Sequence, residues 1–170
     1  IFFGLGSIPL LDPDEPVYAE TAREMIQFND YLSPRIYNEY WFDKPPMYYW
    51  LVAGAMHVFG DGEFAARFPA ALMAFLTVIM LYCSITRLFN ERAGFWSALV
   101  LATSVQFFYL GKAAVTDTTL LFFLTGSLLC YLHKQYWLMY VCMALGRGFL
   151  KCTVYADYCC IFLLRHRGII

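Results

Sequence analysis

Three clusters of acidic and basic side chains could carry chemistry in this chain of 170 residues. They occupy residues 12–16 (Asp-Pro-Asp-Glu-Pro), 41–50 (Trp-Phe-Asp-Lys-Pro-Pro-Met-Tyr-Tyr-Trp) and 112–117 (Lys-Ala-Ala-Val-Thr-Asp). Each cluster lies beside an apolar run. Carboxylates in such positions are candidate general bases or ligands for a hard divalent cation.

The first cluster places Asp14 and Glu15 at the end of the apolar run 1–11. Partial desolvation at a membrane surface would raise the pKa of a carboxylate and make it a better base. The alternative is a solvated helix end flanked by prolines. Both interpretations remain open from the residues alone.

The second cluster sets Asp43 and Lys44 between aromatic side chains, and Pro45 and Pro46 follow directly. Prolines hold a segment in place with little loss of chain entropy on folding. A lysine ammonium suits a phosphate, and the aromatic rings suit an interfacial belt or a sugar ring. The alternative is an aromatic anchor with a surface ion pair.

In the third cluster, Asp117 begins an apolar helix, and Thr116 is a candidate for its cap. An acid at this position stabilises a helix through the dipole, which is the plain structural interpretation. An ionisable residue at the edge of a bilayer is also a functional candidate.

The composition indicates an integral membrane protein. Hydrophobic residues make up 61% of the chain, charged residues 15%, and the mean hydropathy is +0.55. A soluble domain of this size cannot bury such an excess. The net charge of −1 argues against a nucleic-acid partner. The six cysteines lie in or beside apolar runs without metal-binding spacing, so we interpret them as small hydrophobic residues.

The apolar runs predict an all-α, multi-pass transmembrane helix bundle. The segment 47–59 is too short for a span and is predicted to lie in the interface. Ten of the thirteen acidic residues fall in the loop before the first complete span. The predicted segments are the end of a first span at 1–11, an extracytoplasmic loop at 12–67, spans at 68–86, 93–111 and 118–132, and an unassigned end at 135–170.

The positive-inside rule sets the predicted orientation. Arg87 and Arg92 fall in one short loop, and His133 and Lys134 fall in another, so both loops are expected to be cytoplasmic. If the segment 47–59 does not cross the membrane, Asp14 and Asp117 then share the opposite side.

The three clusters, in this order, resemble the polyprenyl-phosphate-sugar glycosyltransferases, which include the protein mannosyltransferases and the enzymes that transfer aminoarabinose to lipid A. The resemblance covers about residues 5–133 and rests on their joint spacing. The motifs that carry it are Asp14-Glu15-Pro16-x-Tyr18-Ala19-Glu20-x-Ala22-Arg23-Glu24-Met25, Phe42-Asp43-Lys44-Pro45-Pro46, Glu63-Phe64-Ala65-Ala66-Arg67-Phe68-Pro69 and Thr116-Asp117.

The resemblance implies a membrane glycosyltransferase fold of the C type, with juxtamembrane helices in the first extracytoplasmic loop. It implies catalytic roles for Asp14, Asp117 and the adjacent Glu15, and an active site on the periplasmic side of a bacterial inner membrane. It also implies donor-phosphate contacts from Lys44 and Arg23, a possible divalent cation at Asp43, and sugar or interface contacts from Tyr18, Tyr48 and Trp50.

Two departures from the family pattern stand out. Val17 occupies a position where many relatives have arginine. After Gly146 the chain continues into a Cys- and Tyr-rich end, for which we expect a frameshift or a divergent terminus. We also expect the chain to be the N-terminal part of a longer protein and to be inactive by itself.

The resulting hypothesis is an inverting glycosyltransferase that moves a sugar from a polyprenyl phosphate, held among membrane lipids, to a lipid or protein acceptor. Lys44 would stabilise the departing phosphate, and Asp14 would orient or deprotonate the acceptor, with Asp117 as its partner or as an alternative base. The competing hypothesis is a non-catalytic membrane protein or an ion-coupled transporter that uses Asp14 and Asp117.

Overall fold

The computed structural model of the chain describes residues 1–7, 9–10, 14–42 and 44–148. The end after Gly148 therefore lies outside the described residues, as does most of the segment expected to be frameshifted or divergent. The described elements are α1 Asp14–Phe28, β1 Arg35–Ile36, β2 Glu39–Tyr40, α2 Pro46–Phe59, α3 Glu63–Leu88, α4 Glu91–Thr103, α5 Val105–Leu110, α6 Asp117–Leu132 and α7 Tyr136–Arg147. The predicted helical architecture is confirmed, with one short hairpin added.

Helix α1 begins at Asp14, within the segment predicted as an extracytoplasmic loop. Asp14 and Glu15 occupy its first turn, where carboxylates interact favourably with the helix dipole. Pro16 is tolerated there because its missing N–H has no partner within the helix. Asp14 and Glu15 therefore belong to the helix rather than to a loop before it.

A hairpin follows α1 and pairs Arg35 with Tyr40. Its two central residues, Tyr37 and Asn38, have φ of 54° and 66°, as a type I′ turn requires. The buried carboxylate of Glu24 accepts hydrogen bonds from the Asn38 N–H at 3.2 and 3.3 Å. The hairpin thereby fixes the direction in which the chain leaves α1 and approaches the second cluster.

Helix α2 matches the short segment predicted over 47–59 and starts at Pro46, where the lack of an N–H is harmless. Its buried face packs against α1 and the beginning of α3, and Ala114 from the segment before α6 completes the cluster. We call the assembly of α1, α2, the first turns of α3 and residues 111–117 the loop layer. Its core consists of Tyr18, Ala19, Ala22, Met25, Tyr48, Tyr49, Val52, Ala53, Met56, Ala65, Ala66 and Ala114.

Helix α3 is long and apolar enough to cross a membrane. Its 26 residues span about 39 Å at 1.5 Å per residue, which exceeds the hydrocarbon thickness of about 30 Å. It starts five residues before the predicted span, so Glu63 and Arg67 belong to its first turns. Helix α6 is a shorter apolar helix.

The run predicted as one span over 93–111 is divided in the structure. Ser104 adopts an extended conformation (φ −63°, ψ 122°) between α4 and α5. Its N–H donates to the Leu101 carbonyl at 3.2 Å, and its carbonyl accepts from the Phe108 N–H at 2.9 Å. These bonds satisfy the backbone at the interruption.

The expected end of a first span at 1–11 also differs from the structure. The described residues of this segment form turns, with Gly4 at φ 74°. Arg67 donates hydrogen bonds to the carbonyls of Leu5 (2.8 Å) and Pro9 (3.0 Å). These side-chain bonds replace the backbone partners that a helix would supply.

Candidate active site

A lysine ammonium and a carboxylate meet at the start of α1. Lys44 Nζ lies 2.5 Å from Asp14 Oδ1 and 4.6 Å from the centre of the Tyr18 ring. Partial burial works against the charged amine, but hydrogen bonds with Asp14 and Tyr18 raise the pKa of Lys44 above its ordinary value. The site thus holds an ammonium group that is charged at neutral pH next to an exposed carboxylate.

The next residue, Glu15, faces the interior and is only 3% exposed. Arg67 donates to its two oxygens, with Nε–Oε1 at 3.0 Å and Nη2–Oε2 at 2.8 Å. The Ala114 N–H donates to the same Oε1 at 2.6 Å. Glu15 therefore joins α1, α3 and the segment before α6 at one buried point.

Asp117 begins α6, as predicted, and its carboxylate is exposed. Thr116 precedes the helix in an α-helical conformation, but its side chain makes no capping hydrogen bond, so the predicted cap is wrong. Asp117 lies along the wall of a cavity of about 330 Å³ between α4, α5 and α6.

Tyr48 is a buried phenol whose pKa is affected both by Glu15 and by Asp117. Tyr48 is fully buried and packs edge-on against Tyr18, with ring centroids 4.8 Å apart. Burial raises the pKa of Tyr48 well above its ordinary value. The neighbouring Tyr18 and the carboxylates of Glu15 and Asp117 raise it further. The Ala114 N–H that binds Glu15 comes three residues before Asp117, so the start of α6 lies near the first turn of α1.

Four predicted site residues occupy different environments from those expected. The guanidinium of Arg23 is exposed and engaged by Asp61 (2.7 Å) and Glu20 (2.9 Å). Trp50 donates its indole N–H to a backbone carbonyl at 2.6 Å and is 41% exposed. The rings of Tyr18 and Tyr48 belong to the loop-layer core, so neither presents an open face for a sugar.

The divalent cation expected at Asp43 stays a prediction. Asp43, the predicted ligand, lies outside the described residues. Within the described ranges, no group of three or more His, Cys, Asp or Glu side chains comes together. Hard divalent cations take several oxygen ligands, so we assign no step to a metal.

Sequence reasoning missed the roles of two charged residues. The motif that contains Arg67 does not reveal its ion pair with Glu15. An arginine at the start of a long apolar helix does, however, indicate a buried partner. Glu24 was likewise unassigned. Nothing in the sequence around Glu24 indicates that its carboxylate accepts hydrogen bonds from Asn38 in the hairpin turn.

Comparison with known proteins places this geometry in context. A family model described as dolichyl-phosphate-mannose-protein mannosyltransferase matches residues 43–164. An undecaprenyl phosphate-alpha-4-amino-4-deoxy-L-arabinose arabinosyl transferase of Yersinia enterocolitica is 34% identical over 128 residues, covering 75% of this chain and 23% of that protein. A protein of the same description from Photorhabdus laumondii is 31% identical, over 71% of this chain and 22% of its own length.

Two crystal structures of ArnT from Cupriavidus metallidurans share the fold. The apo form matches with a TM-score of 0.82 and 25% identity, covering 87% of this chain and 30% of that one. The form bound to undecaprenyl phosphate matches with a TM-score of 0.88 and 24% identity, covering 99% of this chain and 33% of that one.

The fold is that of a multi-helix membrane glycosyltransferase of the C type, as the sequence predicted. The chain belongs to the dolichyl-phosphate-mannose-protein mannosyltransferase family. It spans about a quarter of the length of the curated relatives it matches.

Proposed function

We propose that the complete protein is an inverting glycosyltransferase that uses a sugar carried on undecaprenyl phosphate. The relatives named arabinosyl transferases support a 4-amino-4-deoxy-L-arabinose donor. We further propose lipid A as the acceptor and the periplasmic face of a bacterial inner membrane as the location. The observation that carries this proposal is the contact between Lys44 and Asp14 at the start of α1.

Lys44 is assigned to the donor phosphate. Negative charge grows on the lipid phosphate as the glycosidic bond breaks, and a fixed ammonium stabilises that charge in the transition state. The pKa of Lys44 is raised, so the ammonium remains charged at neutral pH. Pro45 and Pro46 follow directly, and they limit the movement of the segment that carries it.

Asp14 is assigned to the acceptor. Its carboxylate is exposed and lies beside the proposed phosphate site, where it would orient an acceptor hydroxyl or remove its proton as that oxygen attacks the anomeric carbon. If the acceptor nucleophile is itself a phosphate oxygen, no base is required and Asp14 orients it.

Glu15 and Arg23 receive different assignments from those predicted. Glu15 is buried and bound by Arg67 and Ala114, which supports a positioning role for it. The guanidinium of Arg23 is occupied by two carboxylates, so we leave it out of the phosphate site. A transporter would carry the charged residue on a helix that is interrupted within the membrane. The described interruption at Ser104 lies between α4 and α5, and neither Asp14 nor Asp117 belongs to these two helices. This arrangement favours the enzyme over the transporter.

The test is transfer by the purified complete protein from undecaprenyl phosphate-aminoarabinose to lipid A. We expect Asp14→Asn and Lys44→Met each to lower the rate by at least about 100-fold. Lys44→Arg should retain part of the activity, and Lys134→Met is the control for loss of a lysine at an exposed turn. Wild-type rates in both site variants would refute the assignment.

A further inference from the structure

Two cysteine thiols meet where α6 packs against α7. Cys130 and Cys142 are both free, and their side chains are hydrogen bonded to each other. Helix α6 has 16 residues and is about 24 Å long at 1.5 Å per residue. Because Cys130 lies in its last turn and Asp117 begins it, the thiol pair is well separated from the acidic clusters.

A third sulfur atom comes from α3. Gly126 lies one helical turn before Cys130, on the same face of α6. A Cβ built at Gly126 would lie 3.4 Å from the Met80 Sδ and 3.5 Å from the Cys142 Sγ. Both sulfur atoms therefore border the same point on α6, which the glycine leaves open.

The three side chains form a group that consists of sulfur ligands. Met80, Cys130 and Cys142 are all half-buried between their helices. Among the residues that the structure describes, no histidine or carboxylate joins the two cysteines in a group of three. The group thus offers two thiols and one thioether, each from a different helix.

This set of ligands selects one class of metal ion. Hard cations such as Mg²⁺ and Ca²⁺ require several oxygen ligands, and structural Zn²⁺ requires four cysteine, histidine or carboxylate ligands. Thiolate and thioether sulfur are the ligands that Cu(I) prefers. Two cysteines and one methionine therefore match a soft monovalent cation better than a divalent one.

The charge balance of an apolar helix interface also favours a monovalent ion. A thiol must lose its proton to bind a metal as thiolate, and that proton passes to the solvent. When a cation of charge +1 replaces one thiol proton, the net charge between the helices does not change. Burial of an uncompensated charge is thereby avoided.

We propose that Met80, Cys130 and Cys142 form a binding site for a soft monovalent cation, represented by Cu(I). The bound ion would link α3, α6 and α7 and would stabilise the folded protein, because the unfolded chain does not hold the three sulfur atoms together. This site is separate from the proposed transfer chemistry and does not depend on it.

The test measures Cu(I) affinity of the purified complete protein in detergent, without oxygen, by competition with the chelator bicinchoninate. All samples carry serine in place of the cysteines outside the described residues, Cys152, Cys159 and Cys160. We expect a single tight site. Cys130→Ser and Cys142→Ser should each weaken it by at least about 100-fold, beyond the effect of removing a hydrogen-bond partner of a ligand.

Two further variants separate ligation from packing. Met80→Leu conserves volume and removes the thioether, so it should weaken Cu(I) binding by about 10-fold with little loss of stability. Cys83→Ser is the matched control, because Cys83 is an exposed thiol on the same helix as Met80, and it should leave the affinity unchanged. Cooperative thermal unfolding without metal checks that each variant is folded.

X-ray absorption of the Cu(I)-loaded protein, without any substitution at the three ligands, keeps the test independent of variant folding. We expect only sulfur neighbours around the ion, with one fewer in Met80→Leu. Three results would overturn the inference: no tight site, a tight site that survives in Cys130→Ser, or nitrogen and oxygen atoms as the main neighbours of the bound ion.

Discussion

The carboxylate of Glu15 and the guanidinium of Arg67, which are 52 positions apart in the chain, form a two-point ion pair in the interior of the loop layer. Both side chains are nearly inaccessible, at 3% and 6% exposure. The pair holds the first turn of α1, and with it the neighbouring Asp14, against the start of α3.

Glu15→Gln should therefore destabilise the protein strongly. Removing one member of a buried ion pair leaves an uncompensated charge and costs about 3–5 kcal/mol. Glu20→Gln is the matched control, since Glu20 forms a surface pair with Arg23 that is worth at most about 1 kcal/mol. Thermal unfolding in detergent checks both. Equal midpoints for the two variants would contradict the role of Glu15.

The contact between Lys44 and Asp14 predicts a pH dependence of stability. The pKa of Lys44 is raised above 10.5 in the folded protein, so its contribution is full below that value and is lost as the pH rises through the folded pKa. The difference in Tm between wild type and Lys44→Met should be constant from about pH 7 to about pH 9 and should shrink as the pH rises through the raised pKa of Lys44.

The same measurement in an Asp14→Asn background supplies the control. Without the carboxylate, Lys44→Met should change the Tm by less, because the two residues are coupled. A difference that disappears already near neutral pH would show that Lys44 is not held in its charged form.

Arg23 offers a direct test of its exclusion from the phosphate site. Arg23→Gln should leave the affinity for undecaprenyl phosphate within about twofold of the wild type, because its guanidinium is bound to Glu20 and Asp61 at the surface. Equilibrium binding to the purified complete protein checks this, with Lys44→Met as the positive control. A loss in Arg23→Gln as large as that in Lys44→Met would return Arg23 to the site.

Gly94 allows α3 and α4 to approach closely. A Cβ at this position would overlap Thr86 Oγ1 and lie 3.0 Å from the Tyr82 carbonyl oxygen. Gly94→Ala should therefore cost about 1–3 kcal/mol through overpacking.

Gly54 is the matched control for this substitution. It lies in α2 with no neighbour within 4 Å of an added Cβ, so Gly54→Ala should stabilise the protein by about 0.5–1 kcal/mol. Unfolding midpoints of the two variants that shift in the same direction would contradict this account of the packing.

The sequence was sufficient to predict the helical fold. The uncharged runs identify α3 and α6, and the short length of the segment 47–59 separates α2 from the longer apolar helices. The arginines near residue 90 predict that Asp14 and Asp117 share one side of the membrane, and that shared side stays a prediction. These predictions depend on local composition and on the solvent properties of a bilayer.

Other features depend on contacts between distant segments. No local pattern reveals that Arg67 reaches Glu15 and the Leu5 carbonyl, because the partners become neighbours only after the helices pack. The hairpin turn at Tyr37 and Asn38 lacks the usual glycine, so its signal is weak. Ser104 interrupts an apolar run without any proline or glycine beside it.

The hydrogen bond from the Ala114 N–H to Glu15 has a consequence for biogenesis. During synthesis, α1 and the first turns of α3 emerge from the ribosome well before residue 114, so Glu15 acquires its last partner only after α4 and α5 have been made. The contacts of Glu15 are thus completed late, after α4 and α5 have been synthesised. A nascent chain arrested before residue 114 would contain both Lys44 and Asp14. It would lack the Ala114 hydrogen bond that completes the contacts of Glu15.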